Sequence, residues 1–136
     1  MKHLSFFIIA LSFLLINCKS EPKVMPVTYP PLWAQYDVPA FTDGIIVSDK
    51  NTGGPVKSDY QIILETTASF DELYTWYKQS FAEKGWKLVK DNRTEIGDIS
   101  EMILLVHNKG KLKHNVLINT SFDEKRRVKT TFTYIE

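Results

Sequence analysis

Residues 69–86, SFDELYTWYKQSFAEKGW, carry the signals of a single amphipathic helix from start to stop. Ser69 can accept from the unpaired amides of the first turn, and Glu72 three residues on supplies the other half of a capping box. Phe70, Leu73, Tyr74, Tyr77 and Phe81 recur at helical spacing and form one aromatic-rich face. Gly85 suits the left-handed position just past the last turn. That placement puts Phe81 and Trp86 at the two positions whose apolar contact accompanies a Schellman ending.

A lone helix with such a face needs a second layer, and the flanking sequence reads as strands. Ahead of it, Tyr60, Ile62, Leu64 and Thr66 alternate with Gln61, Ile63 and Glu65. Asn51-Thr52-Gly53-Gly54-Pro55 is turn chemistry, Ile45–Ser48 a candidate edge strand, and Asp37-Val38-Pro39-Ala40-Phe41 a short extended piece. Behind it, residues 86–90, 99–107, 112–122 and 128–135 are strand-like and joined by polar loops. A two-residue Lys109-Gly110 turn predicts pairing of 107 with 112, 105 with 114 and 103 with 116. Val128, Thr130, Phe132 and Tyr134 join the same face only if the next connection has an odd number of residues, such as 123–127 or its central three.

The class this predicts is α+β: an antiparallel sheet of about five to six strands with one amphipathic helix packed on one face, in the order ββαββββ. Met102, Leu104 and Val106 point away from the helix. The Trp33–Phe41 segment is expected to cover that second face, the alternative being a partner site.

Seventeen Lys and Arg against sixteen Asp and Glu leave a formal charge of +1, so bulk charge gives no reason to expect a nucleic-acid partner. One cysteine excludes an internal disulfide and a Cys-rich zinc site. At 136 residues one core suffices without staples.

The front of the chain reads as an address. Lys2 precedes Leu4–Ile16, an apolar run of thirteen residues. As helix it reaches about 20 Å, short of the roughly 30 Å of a bilayer core, so a signal-peptide core is the expectation. Leu15-Ile16-Asn17-Cys18 resembles the lipobox of bacterial lipoproteins, in a relaxed form because Asn17 stands where a small residue is usual. The resemblance implies removal of residues 1–17, lipidation of Cys18, and a cell-envelope protein held to the membrane through that cysteine, with Lys19 pointing to the outer membrane. Two alternatives stay open: ordinary secretory cleavage after Ser20, and an uncleaved helix with Cys18 buried. Residues 18–31 hold four of the six prolines and read as an extended tether, or as a coil lying back on the domain from residue 27. The domain itself is expected over residues 32–136.

No Gly-rich phosphate loop, His-Glu-x-x-His helix or nucleophile elbow is present, so no catalytic residue, metal site or cofactor is expected. His107 and His114, diagonal across the predicted hairpin, are the best candidate metal pair, and they lack a third ligand. Asp91, Glu95, Asp98 and Glu101 read as a solvated acidic loop. Lys125-Arg126-Arg127 with Lys109, Lys111, Lys113 and Lys129 make the C-terminal hairpins basic, either to keep an edge from aggregating or to contact anionic lipid. Residues 36–90 also resemble a group of small bacterial exported domains, through Asp37-Val38-Pro39-Ala40-Phe41, Trp76-Tyr77 and Gly85-Trp86. That resemblance implies a compact α+β unit and no catalytic residues. The functional expectation is a non-enzymatic, anchored interaction or assembly domain with an envelope protein partner. The alternative is a module binding a small ligand or amphiphile among aromatics such as Trp33, Tyr74, Trp76 and Trp86.

Overall fold

A computed structural model of the chain describes residues 27–51, 57–96, 100–120 and 125–135. Cys18, the signal segment, the first part of the tether, Asp98 and most of the 51–55 turn lie outside these residues. The elements are α1 (Pro31–Gln35), β1 (Ile45–Asn51), β2 (Lys57–Thr66), α2 (Phe70–Glu83), β3 (Lys87–Ile96), β4 (Ser100–Lys109), β5 (Leu112–Thr120) and β6 (Arg126–Ile135). All six strands form one antiparallel sheet in the order β1-β2-β6-β5-β4-β3. The architecture is therefore α+β, an antiparallel sheet with one amphipathic helix.

Helix α2 carries the chain from β2 to the far edge of the sheet, and the meander β3 to β6 then returns to pair with β2. Its ends are fixed at Ser69 and at Gly85-Trp86, while the Glu72 side chain does not return the bond that would complete the expected capping box. The Ser69 hydroxyl accepts from the Glu72 amide at 3.2 Å. Gly85 has φ +76°, its N–H donates to the Ala82 carbonyl at 3.0 Å, and the Trp86 N–H donates to the Phe81 carbonyl at 2.9 Å. These are the two bonds of a Schellman ending, with the Phe81 and Trp86 rings 5.5 Å apart. Phe70, Leu73, Tyr77 and Phe81 are buried against the sheet.

Inward side chains follow the period of two. Ile62 and Leu64 of β2, Ile103 and Leu105 of β4, Val116 and Ile118 of β5, and Val128 and Phe132 of β6 have no exposed surface. The link between β5 and β6 is residues 121–125, an odd number, displaced by two from the expected one. Val128, Thr130 and Phe132 accordingly face the core.

Four expectations need correction. The β4–β5 hairpin pairs Lys109 with Leu112, so Gly110 and Lys111 are its central residues, and His107 stands directly opposite His114. Gly110, at φ +60°, takes the first central position, where a type II′ turn needs glycine. A slip of two residues leaves every side chain on its expected face, which is why alternation alone could not detect it.

Strand β3 runs on through Asp91 and Glu95, and Glu101 lies in β4, so most of the acidic stretch is sheet. An edge strand with solvent along one side tolerates polar residues that a central strand would not. Arg93 holds this segment to Asp71 of α2 and to Glu101.

The Trp33–Phe41 segment packs on the helix side of the sheet. Trp33, Val38 and Phe41 belong to the same core as Phe81 and Phe132, and Met102, Leu104 and Val106 remain half-buried. Finally, residues 31–35 form a helical turn, with Pro31 at a first-turn position where its missing N–H costs nothing. Val27 and Tyr29 pack against the core, and the Tyr29 hydroxyl donates to the Phe41 carbonyl at 2.7 Å.

Candidate functional site

One line of directly paired residues crosses the inner face: Tyr60 of β2, Phe132 of β6, His114 of β5, His107 of β4 and Leu88 of β3. The two layers above it come from α1 and α2. Trp33 stands edge-on to Tyr60, Phe132 and His114, with ring centroids 6.4, 5.6 and 6.4 Å away. Phe81 of α2 stacks on His107 at 4.2 Å and tilts over His114 at 4.5 Å. Trp86 closes the side at 6.3 Å from His114 and 6.2 Å from Phe132. Both imidazoles are buried, with centroids 6.2 Å apart.

This interior holds polar side-chain atoms that no described residue satisfies. Both ring nitrogens of His107 and of His114, the Trp33 indole nitrogen, the Tyr77 hydroxyl and the Thr130 hydroxyl are buried and have no hydrogen-bond partner among the described residues. Trp86 is the contrast, because its indole N–H donates to the Asp37 carbonyl at 2.9 Å. Each buried unpaired donor or acceptor costs about 1–3 kcal/mol, so five such side chains together rival the net stability of a domain. Native interiors leave few such groups, which makes their concentration here informative.

Electrostatics keep the cluster neutral. Burial pushes the His107 imidazole down to about 4, only partly opposed by the Asp91 carboxylate. Burial, then the neighbouring His107, pushes His114 well below the ordinary histidine value. Burial raises the Tyr77 hydroxyl far above the usual phenol range. At neutral pH the cluster thus offers uncharged donors (one N–H per imidazole, the indole N–H, two hydroxyls) and uncharged acceptors (the second imidazole nitrogens and hydroxyl oxygens). It can hold a neutral polar group in apolar surroundings. It presents neither an ionised nucleophile nor a charged acid–base pair.

Of the aromatics singled out from sequence, Trp33 and Trp86 meet at His114, whereas the other two lie apart. Trp76 packs edge-on to Phe41 and Tyr77 at 5.0 and 4.8 Å. The Tyr74 hydroxyl donates to Asp91 at 2.8 Å beside Lys78, whose ammonium also lies 2.8 Å from that carboxylate. Burial acts to raise Asp91, but the Lys78 and Tyr74 hydrogen bonds outweigh it and hold the carboxyl low. His107 and His114 come together as proposed, opposite rather than diagonal, and no group of three or more His, Cys, Asp or Glu able to hold a metal occurs among the described residues. Tyr77 and Thr130 read from sequence only as members of the inward faces. Their signal was polarity at inward positions of an otherwise apolar face. A separate open cleft at the β1–β2 edge is lined by Asp43, Gly44, Glu65 and Thr66. Its Thr66 hydroxyl already accepts from the Ala68 amide and its Glu65 from Arg127.

An antiparallel sheet with one face roofed by a helix and a tryptophan-bearing segment, over uncharged polar groups, defines a class of small α+β domain. The family model that matches is described as START domain-like, over residues 46–126, and the chain belongs to that family. The matched stretch begins in β1 and ends as β6 begins, so it contains α2 and both histidines, while α1 and Trp33 precede it. No curated protein and no solved structure matches the chain.

Proposed function

We propose that this protein is a non-enzymatic, lipid-anchored cell-envelope module that binds a small amphiphilic ligand between α2 and the sheet, with the Trp33 segment as the cover of the site. The observation that carries the ligand reading is the set of unpartnered polar groups on His107, His114, Trp33, Tyr77 and Thr130, gathered within one aromatic interior. A neutral polar head able to donate and accept would satisfy them, and an apolar body would replace the contacts of the Trp33 ring. Membership of a START domain-like family is in keeping with ligand binding. Anchoring rests on the lipobox-like Leu15-Ile16-Asn17-Cys18, with residues 1–17 as the signal and outer-membrane sorting from Lys19.

Binding of a pyrene-labelled long-chain alcohol to the full chain, followed by energy transfer from tryptophan, tests the ligand reading. Saturable transfer that His114→Phe weakens at least tenfold, about 1.4 kcal/mol, supports it. Transfer that is unsaturable, or indifferent to that substitution in a folded protein, contradicts it. Metabolic labelling with a clickable fatty acid tests the anchor, with label expected on the wild type and lost in Cys18→Ala. A second reading, an anchored assembly domain with an envelope protein partner, is favoured by the half-buried Met102, Leu104 and Val106 on the face opposite α2.

A further inference from the structure

The outer face of the sheet, opposite α2, has a composition that the interior does not explain. Leu104 of β4 pairs directly with Leu117 of β5, and Val106 lies two residues along β4 from Leu104, so three half-buried apolar side chains adjoin at the middle of this face. Lysines ring them. Lys90 pairs with Val106 from β3, Lys129 pairs with Leu117 from β6, and Lys87 and Lys113 both pair with Asn108. All four lysines are exposed, and none makes an ion pair among the described residues.

The helix side treats its cations differently. Lys78 is bound to Asp91, Arg93 to Asp71 and Glu101, and Lys109 to Asp37. Counting directly paired strand positions whose side chains are described, the outer face carries Lys50, Lys87, Lys90, Lys113, Arg127 and Lys129 against two acids, Asp59 and Glu65. Glu65 is already spent on Arg127 at 2.7 Å, and Asp59 accepts from Thr133 at 2.6 Å. A surplus of free positive charge is thus concentrated on one face of a chain whose formal charge is only +1.

We propose that this outer face docks on an anionic bilayer surface, with Leu104, Val106 and Leu117 against the headgroup boundary and the surrounding lysines on lipid phosphates. Lysine favours this occupant over a protein, because protein interfaces are depleted in lysine, whereas its long stem lies along apolar surface while its ammonium reaches phosphate. Charge complementarity and a small apolar centre are the two terms that hold peripheral domains at membranes. The chain's apolar residues 4–16 lie close ahead of the domain. Eight residues separate Cys18 from Val27, and the nine Cα–Cα steps reach about 30 Å when extended, which lets the domain turn this face to a membrane. The docking surface is separate from the interior ligand site and does not depend on lipidation of Cys18.

The test uses the full chain, made cell-free against vesicles so that residues 4–16 hold it there whatever happens at Cys18. In a Cys18→Ala background a bimane probe is placed by Asn115→Cys on the outer face or by Thr75→Cys on exposed helix surface. Quenching by nitroxide-bearing lipid is then compared in phosphatidylcholine vesicles with and without phosphatidylglycerol. The expected result is strong quenching at position 115 only when phosphatidylglycerol is present, and little at 75. Lys→Gln at 87, 90, 113 and 129 should weaken it by about fivefold per lysine. Equal quenching at both positions, no quenching at 115, or quenching indifferent to anionic lipid overturns the proposal. A probe response at 115 that follows protein concentration without lipid assigns the face to a second copy and also overturns it.

Discussion

The inner and outer faces of this sheet are built from the same strands, residue by alternate residue, and are finished in opposite ways. Inside, apolar side chains are fully enclosed, cations around the rim are bound to acids, and the unspent groups are neutral polar atoms at the centre. Outside, apolar side chains are half-covered and the unspent groups are lysines. Stability is therefore concentrated on one face, while each face keeps a different kind of unsatisfied chemistry: hydrogen bonding within, charge without.

The sharpest way to break that contrast is to truncate neighbours that point opposite ways. Leu105→Ala, on the fully buried inner side, should cost about 2–5 kcal/mol in urea unfolding. Leu104→Ala, one residue earlier on the outer side, should cost about 1 kcal/mol or less. Equal losses would mean that the outer face is also core.

Acidification probes the inner chemistry next. Both histidines have folded values held below their unfolded ones, so on lowering the pH the unfolded chain takes up protons first. Stability should be full above about 6.5 and fall below it, at up to about 1.4 kcal/mol per pH unit per histidine. The His107 contribution levels off near its folded value of about 4, while that of His114 continues lower. Urea titrations across pH 4–7 check this, and a slope unchanged in His114→Phe would contradict it.

Smaller effects sharpen the picture at its edges. Gly85→Ala forces a left-handed residue to carry a Cβ and should cost about 1–2 kcal/mol, read as a lowered Tm. Lys78→Gln removes a partly exposed ion pair and should cost at most about 1 kcal/mol. Lys129→Gln, on the outer face, should leave stability within about 0.5 kcal/mol. A Lys129 effect as large as that of Lys78 would show that the outer lysines serve folding.

What the sequence made legible is what short-range physics controls. The helix and its caps could be placed because Ser69, Gly85 and Trp86 act within a turn of themselves. Inward faces can be assigned because parity is local, but parity repeats every two residues, so it does not distinguish a Lys109-Gly110 turn from the Gly110-Lys111 turn that forms. The polar tail of β3 was hidden, since its strand character comes from pairing with β4 and not from Asp91 or Glu95 themselves. Trp33 lies in a five-residue helical turn and Phe41 in irregular chain, and neither carries a period long enough to reveal which face it covers. The unpartnered state of Tyr77 and Thr130 depends on what surrounds them in three dimensions, which no spacing encodes.

Native mass spectrometry of the full chain extracted gently from expressing membranes tests the interior site most directly, with wild type compared to the folded double variant His107→Phe, His114→Phe. The ligand account predicts a discrete bound mass, one per chain, on the wild type and its loss in the variant. A wild type that carries no bound mass, or a mass retained equally by the variant, would contradict it.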